Sequence, residues 1–387
     1  MSQKNVSTQD TTELLNSDSS TEISNSKEQL TSSRRRFLAQ AGMAGLGAVA
    51  ATQLALPASA QRSFPTPGNG NNGNNGGSNF RNVSDRDILN FALNLEYLEA
   101  EYYLRAAFGT TLDAADTTGL GNSNNRNGNG NNNGGNGNNG NVMPGNVIGF
   151  SASPADDQVA FSNEILAGYA REIARDEQQH VRLLRSVLGN KAVALPTVDI
   201  GPAFTAAAKA AGIIGAGDTF NPYANETNFL LGAFIFEDVG VTAYRGAAPL
   251  LNNKTILSAA AGLLGVEAYH AAEIRTLLTR ANADAGNNNI VDAVQAISNL
   301  RDAADGAGDD DQGITTNDTD NGGTVPVTGG TVNRGNDVVN IVPTDANALV
   351  FARTFQQVLN IVYLTTAPLG TVHTGGFFPN GLNGRIR

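Results

Sequence analysis

Six residues with metal-binding side chains follow one repeating pattern: a glutamate, a Glu-x-x-His pair, a second glutamate and a second Glu-x-x-His pair. They are Glu96, Glu177, His180, Glu237, Glu267 and His270. Residues three positions apart share one face of a helix, so each pair can offer an oxygen and a nitrogen to the same ion. Two single glutamates and two such pairs, each from its own helix, are the ligand set of carboxylate-bridged di-iron and di-manganese bundles.

Four carboxylates gathered in a bundle core are costly without compensation, because buried carboxylates are poorly solvated and repel one another. Two divalent cations would neutralise them, with Glu177 and Glu267 as the predicted bridging ligands. The alternative interpretation is a polar network in the core that holds no metal. The pattern therefore predicts a site for two iron or manganese ions and leaves the metal-free network open.

Four long helices are predicted to position these residues, because apolar side chains recur every three or four positions. They cover residues 84–108, 154–189, 226–248 and 253–285. In each helix the glutamate or the pair lies in the middle of an otherwise apolar stripe, so all six side chains would meet at one level. Ser84 and Asp87 predict a capping pair at the first helix. The long connection 190–225 suits a crossover, so the sequence predicts an all-α four-helix bundle with a long crossover between the second and third helices.

Two tyrosines repeat the spacing of the single glutamates. Tyr103 follows Glu96 by seven residues, and Tyr244 follows Glu237 by the same distance. Each hydroxyl could donate a hydrogen bond to a metal-binding glutamate across the bundle. Such a bond would support catalysis by holding the ligand in place. The tyrosines could equally be ordinary core aromatics.

Five other residues with charged or metal-binding side chains are less closely tied to this pattern. Glu99 and Glu273, one turn from Glu96 and His270, are either additional ligands or partly exposed helix charges. Asp176 and Asp238 are predicted to be surface or inter-helix charges. The third histidine, His373, lies in a Gly-rich tail and is predicted to bind no metal.

Composition narrows the chemistry. The chain has no Cys and three His, which excludes disulfides, thiolate catalysis and thiolate metal sites. Ligation must lean on carboxylates, which favours iron or manganese over copper or zinc. A formal net charge of −11 makes nucleic acid and anionic lipid poor partners.

The N-terminal residues 1–60 have the layout of a twin-arginine signal peptide. Arg34 and Arg35 precede the moderately apolar stretch 39–56, and an A-x-A motif ends at Ala60. This predicts cleavage after Ala60, export in the folded state and a periplasmic or extracellular location without a stable membrane anchor. The alternative is that the apolar stretch anchors the protein in a membrane.

Low-complexity segments divide the rest of the chain. The predicted order is a disordered linker 61–83, a bundle 84–305 with a disordered Asn/Gly-rich insertion 109–153, a flexible loop 306–342, and a C-terminal helix and tail 343–387 packed on the bundle. The insertion is predicted to be removable without loss of metal or stability. Shorter helices are predicted near 202–212, 290–304 and 345–364.

Three segments carry a resemblance to a known family. Residues 95–103 (LEYLEAEYY), with the two Glu-x-x-His pairs, resemble the ferritin-like superfamily. More narrowly, the pattern is similar to exported bacterial ferritin-like proteins related to plant desiccation-related proteins, and residues 352–363 (ARTFQQVLNIVY) and 375–381 (GGFFPNG) resemble that subgroup. The resemblance implies a ferritin-like bundle and the same six ligands. It does not extend to the Asn/Gly-rich insertion.

Several functions remain open at this stage. The first is a di-metal oxidoreductase of the peroxidase, catalase or ferroxidase type, which would react with O₂ or peroxide in oxidative or desiccation stress. The resemblance extends to iron-storing ferritins, rubrerythrins and manganese catalases and implies no single activity. Metal binding or storage without turnover is the second reading, and a structural stress protein is the third. A homo-oligomer is a further option.

Overall fold

The computed structural model describes seven ranges of the chain: 83–121, 141–306, 310–315, 324–327, 330–333, 339–345 and 347–387. The predicted signal peptide, nearly all of the predicted linker and the middle of the predicted insertion lie outside the described residues. Within the described ranges, no helix has both the length and the apolar character that crossing a membrane requires.

Helices make up most of the described structure. They are α1 (Asp85–Phe108), α2 (Ala114–Thr117), α3 (Glu164–Leu188), α4 (Pro202–Ala210), α5 (Glu226–Ala247), α6 (Lys254–Ala285), α7 (Asn289–Asp305) and α8 (Phe355–Val362). Helix α1 packs along α3, and α5 packs along α6. These two pairs form the four-helix bundle, so the predicted all-α fold is confirmed.

Polar side chains fix where the four long helices begin. At α1 the Ser84 hydroxyl accepts a hydrogen bond from the backbone of Asp87, whose carboxylate accepts one in return, so the predicted capping pair is confirmed. Asn163, Asn225 and Asn253 cap the other three helices in a similar way, each through its side-chain oxygen. These contacts satisfy backbone N–H groups that have no partner within the helix.

The second long helix begins later than the sequence predicts. Residues Pro154–Asp157 form a short 3₁₀ turn, and α3 starts at Glu164. Asp157 is fully buried, and Arg105 of α1 donates a hydrogen bond to its carboxylate. This contact holds the turn against α1, so residues 154–157 belong to the loop before α3 and not to α3 itself. With this start, Glu177 lies near the middle of α3, as Glu96 does in α1, and the two glutamates reach the same level.

The flanks of the predicted insertion 109–153 are structured, which corrects the expectation for these parts. The described strands are β1 (Gly119–Leu120), β2 (Asn141–Val142), β3 (Val147–Gly149) and β4 (Val198–Ile200). β1 pairs with β2 antiparallel, and β3 pairs with β4 of the crossover in parallel. Leu120 also exchanges backbone hydrogen bonds with Ala192 and Ala194. Backbone pairing with the crossover orders these flanks despite their low apolar content.

The C-terminal region covers one side of the bundle. Helix α8 is shorter than the predicted 345–364, because Thr354 and Gln357 form a capping box that starts it at Phe355. Beyond α8, Phe377, Phe378 and Leu382 of the tail are completely buried. The tail therefore forms part of the core.

The predicted flexible loop 306–342 is also anchored in part. Arg275 of α6 donates hydrogen bonds to the backbone carbonyls of Gln312, Gly313 and Asn340, which holds the described residues 310–315 and 339–340 against the bundle. Between them, β5 (Thr324–Val327) and β6 (Gly330–Asn333) pair antiparallel. Contacts with a buried guanidinium thus help to order polar segments that lack a core-forming pattern.

Candidate metal centre

The six predicted ligands converge in the middle of the bundle. Glu96 comes from α1, Glu177 and His180 from α3, Glu237 from α5, and the remaining pair from α6. All six side chains are buried, and the most exposed, His180, is only 6 % exposed. They form two groups, and within each group the candidate ligand atoms all lie within 4.8 Å of one another.

The first group surrounds His180. Its Nδ1 atom lies 3.2 Å from Oε2 of Glu96 and 3.3 Å from Oε2 of Glu177. Oε1 of Glu267 completes the group at 3.8 Å from the same nitrogen. Three oxygens and one nitrogen from three helices thus face one small space, as a hard divalent cation requires.

The second group surrounds His270. Its Nδ1 atom lies 3.0 Å from Oε1 of Glu177 and 3.5 Å from Oε2 of Glu237. Among the described residues, Glu177 is the one member of both groups, because its two oxygens face the two histidines. The centres of the two imidazole rings are 6.2 Å apart. Glu177 is therefore placed to bridge two ions, whereas Glu267, the other predicted bridge, belongs to the first group.

Several buried polar atoms of this centre make no hydrogen bond with the rest of the described protein. They are Oε1 of Glu177, Oε2 of Glu237, both carboxylate oxygens of Glu267 and Nδ1 of His270. Buried oxygens and ring nitrogens normally have partners, so such a set needs an explanation. Ligand atoms that converge from three helices fit the coordination of cations, and the donor set suits iron or manganese.

The charge balance of the centre also favours cations. Burial raises the pKa of Glu96 to about 7, and burial together with neighbouring carboxylates raises that of Glu267 well above its ordinary value. Burial opposes the ionisation of Glu177 too, but His180 and His270 outweigh it and hold its pKa below the usual range. Burial lowers the pKa of His180, and Glu96 and Glu177 more than reverse this, to about 12. Protons therefore neutralise the centre when no cation is bound.

Tyr103 and Tyr244 support the centre reciprocally. Tyr103 of α1 donates a short hydrogen bond to Oε1 of Glu237 on α5, and Tyr244 of α5 donates one to Oε1 of Glu96 on α1. Burial and the neighbouring glutamates raise the pKa of both hydroxyls well above the ordinary tyrosine value, so both remain donors. Each bond fixes one carboxylate oxygen and leaves the other facing the candidate cation space.

Asp176 holds the far side of one imidazole. Its carboxylate, which is partly exposed, lies 3.3 Å from Nε2 of His270. A hydrogen bond from Nε2 to this carboxylate would orient the ring so that Nδ1 faces Glu177 and Glu237, where it could bind a cation in place of a proton. The sequence predicts Asp176 as a surface or inter-helix charge, and its contact with the histidine adds an orienting role.

Glu99 is a buried carboxylate that neither candidate group includes. It is 5 % exposed, and burial with the nearby glutamates raises its pKa well above the ordinary value. A Cβ atom at Gly240 of α5 would lie close to Glu99 and would overlap the carboxylate of Glu267. The exposed-charge reading of Glu99 is thus wrong. The spacing from Glu96 was a usable signal, because residues three apart share a helix face.

A buried ionic network that the sequence pattern does not predict lies beside the centre. Asp238, which follows a candidate ligand, is 4 % exposed and accepts hydrogen bonds from Arg275 of α6 and Arg301 of α7. Arg301 continues to Asp311, which also pairs with Arg353. All these groups are buried, so Asp238 is not a surface charge; it is an inter-helix charge, which is the other alternative that the sequence predicts. No local sequence pattern predicts these contacts, since the partners lie far apart in the sequence.

Two other residues lie outside the centre. Glu273 is half-buried, and burial, opposed in part by His270, raises its pKa. His373 is exposed, and its Nδ1 lies 2.9 Å from the carbonyl oxygen of Arg387. Neither belongs to either candidate group.

Comparison with known proteins identifies the class. Residues 84–280 match the ferritin-like domain family, and since this is about half of the chain, the protein belongs to that family. It is similar to the ferritin-like catalase Nec2 of Nesocodon mauritianus, with 26 % identity over 78 % of this chain and 85 % of the relative. It is also similar to the desiccation-related protein PCC13-62 of Craterostigma plantagineum, with 29 % identity over 71 % of this chain and 76 % of the relative. No solved structure matches the chain significantly.

Proposed function

We propose that this protein is an exported di-metal carboxylate protein that binds two iron or two manganese ions and reacts with O₂ or peroxide in oxidative or desiccation stress. The observation that carries the proposal is the pair of buried groups that share Glu177, together with carboxylate oxygens that have no hydrogen-bond partner among the described residues. Two bound cations would neutralise the four buried carboxylates, so metal binding would also stabilise the folded state.

In this proposal each ion has one histidine and at least one glutamate that the other ion does not share. His180, Glu96 and Glu267 would hold the first ion, His270 and Glu237 the second, and Glu177 both. When bound, the two ions would supply two electrons to cleave the O–O bond of one peroxide and recover two from a second, so that two peroxides give two waters and one O₂.

The protein's own residues would orient and protect this centre. Tyr103 and Tyr244 hold Glu237 and Glu96 through hydrogen bonds, and the contact with Asp176 would orient the imidazole of His270. The apolar residues above and below the centre, such as Leu93 and Ile173, are completely buried and keep bulk water out. Exclusion of water strengthens each electrostatic contact within the centre.

The relatives support peroxide chemistry and stress without deciding between them. One is described as a ferritin-like catalase, which favours disproportionation of peroxide. The other is described as a desiccation-related protein, a description that names no activity. The second candidate function is accordingly a metal-binding or structural stress protein without turnover.

Export forms part of the proposal through Arg34 and Arg35 and the motif that ends at Ala60. Export in the folded state would let the ions bind in the cytoplasm before competing ions are met. N-terminal sequencing of the exported protein should begin at Gln61, and a terminus that retains residues 39–56 would contradict cleavage.

The decisive experiment is elemental analysis of protein purified from its native compartment, with O₂ evolution from added peroxide measured on the same sample. About two iron or manganese ions per chain and O₂ evolution support the proposal. Two ions without turnover support the second candidate. If protein refolded anaerobically with ferrous or manganous ion holds no metal and shows no rise in Tm, the di-metal proposal is wrong.

A further inference from the structure

A narrow cavity runs along the seam between α1 and α5. Its walls come from the first half of α1, the second half of α5 and the start of α6, and they are almost entirely apolar. The space open to the centre of a water-sized molecule is about 30 Å³. One buried water needs ~10–15 Å³ on this measure, so the cavity accommodates about two such units.

The cavity joins the surface side of the bundle to the candidate metal centre. Ala92, Leu95 and Ala243 line it and are only half-buried, which places them towards its outer side. Its other lining residues include Glu96, a candidate ligand, and Glu99. Helices α1 and α5 each pack mainly on another helix, and small residues such as Ala92 and Ala243 line the seam between them.

We propose that this cavity is the passage by which a small uncharged oxidant of two heavy atoms, O₂ or hydrogen peroxide, reaches the centre. The inference rests on the proposed function and adds its route and its selectivity. The size of the cavity matches two linked heavy atoms. Apolar walls give an ion no compensation for lost hydration, so the passage favours an uncharged molecule.

A second space in the described structure provides a matched control. A groove of about 480 Å³ lies between α4, α7 and α8, and none of the six candidate ligands lines it. Ala296 of α7 is half-buried in this groove, as Ala243 is in the passage. An alanine-to-leucine change at either position adds the same volume, so the pair separates blockage from general overpacking.

The first test measures access in solution. Wild type, Ala243→Leu, Ala92→Leu and the control Ala296→Leu are loaded anaerobically with ferrous ion and mixed with O₂ or with hydrogen peroxide. Both passage variants should react about tenfold more slowly or worse, with unchanged iron content and no greater fall in Tm than Ala296→Leu shows, because access becomes limiting. Ala243→Ser and Ala296→Leu should react at the wild-type rate. A loss with O₂ alone, or with peroxide alone, identifies the oxidant that uses the passage.

The second test needs no bound metal. Xenon enters dry apolar cavities, so crystals of the wild type under xenon pressure should show density between α1 and α5, and Ala243→Leu crystals should not. Wild-type reaction rates in both passage variants, or absence of xenon from the wild-type cavity, would overturn the passage. If the wild type holds no metal, the proposed function fails, and the xenon experiment still decides whether small molecules enter here.

Discussion

Gly240 of α5 lies directly against the carboxylate of Glu267 on α6. A Cβ atom at residue 240 would overlap Oε2 of Glu267, well inside van der Waals contact. Glycine within a helix lowers its stability by about 0.5–1 kcal/mol relative to alanine, so its presence here needs a reason. The reason is space, because a candidate ligand must pass close to the backbone of α5 to reach the first group.

Gly240→Ala should therefore displace Glu267 and weaken metal binding by about 10–100-fold, as expected when the support of a ligand is lost. Titration with ferrous or manganous ion under anaerobic conditions measures the affinity. Gly262→Ala is the matched control, since a Cβ at residue 262 of α6 meets no other atom and should only stabilise the helix. Equal metal affinity in both variants would show that Glu267 does not depend on this space.

The shared position of Glu177 predicts an order among the ligand variants. His180→Ala and His270→Ala should each lower the metal content towards about one ion per chain, because each removes a ligand from one group. Glu177→Ala should lose both ions, since its oxygens face both histidines. His373→Ala should retain the wild-type content, because this exposed histidine lies outside the centre. A Glu177 variant that keeps more metal than the histidine variants would contradict the bridging role.

The reciprocal tyrosines predict that hydroxyl removal weakens binding without loss of the fold. Tyr103→Phe and Tyr244→Phe retain the ring and remove the hydrogen bonds to Glu237 and Glu96, so each should lower metal affinity by about tenfold or more. Calorimetric titration gives the affinity, and circular dichroism checks the fold. Tyr269→Phe serves as the control, because this tyrosine is 73 % exposed. If all three variants bind metal as the wild type does, the two buried tyrosines are ordinary core aromatics.

Metal uptake should release protons, and affinity should fall as the pH decreases. The pKa of His180 is raised to about 12, so its imidazole carries a proton at neutral pH that a cation must displace. The pKa of Glu96 is raised to about 7, so this carboxyl holds a further proton increasingly below pH 7. Both directions mean that protons compete with the metal. An indicator dye in weak buffer should register more protons released at pH 6 than at pH 8, and uptake without proton release would contradict this charge balance.

The buried ionic network predicts a large loss of stability when one charged side chain is replaced by an uncharged one of similar size. Asp238→Asn removes the charge that faces Arg275 and Arg301, and an uncompensated buried charge costs about 3–5 kcal/mol. Denaturant unfolding should show this loss in the free energy of unfolding. Asp284→Asn breaks an ion pair with Arg280 in which both partners are largely exposed, and should change stability little. Equal stability of the two variants would mean that the network contributes nothing.

The sequence by itself determined the frame and the six candidate ligands. Helical periodicity is local, so the apolar stripes located the four long helices, and the i, i+3 spacing placed each Glu-x-x-His pair on one face. The capping pair of Ser84 and Asp87 was equally local. All six predicted ligands lie within the two groups of the structure, while their binding of metal stays a prediction.

Only the tertiary structure decided which oxygens face which histidine, and which flanking charges are buried. Glu177 faces both histidines because α3 meets α6 across the bundle, a relation that no spacing within one helix reports. Asp238 is buried because Arg275 and Arg301 reach it from two later helices. Polar segments such as 310–315 were expected to be flexible, yet a buried guanidinium orders them. Local patterns specify helices and their faces, whereas burial and pairing depend on contacts between residues that are distant in the sequence.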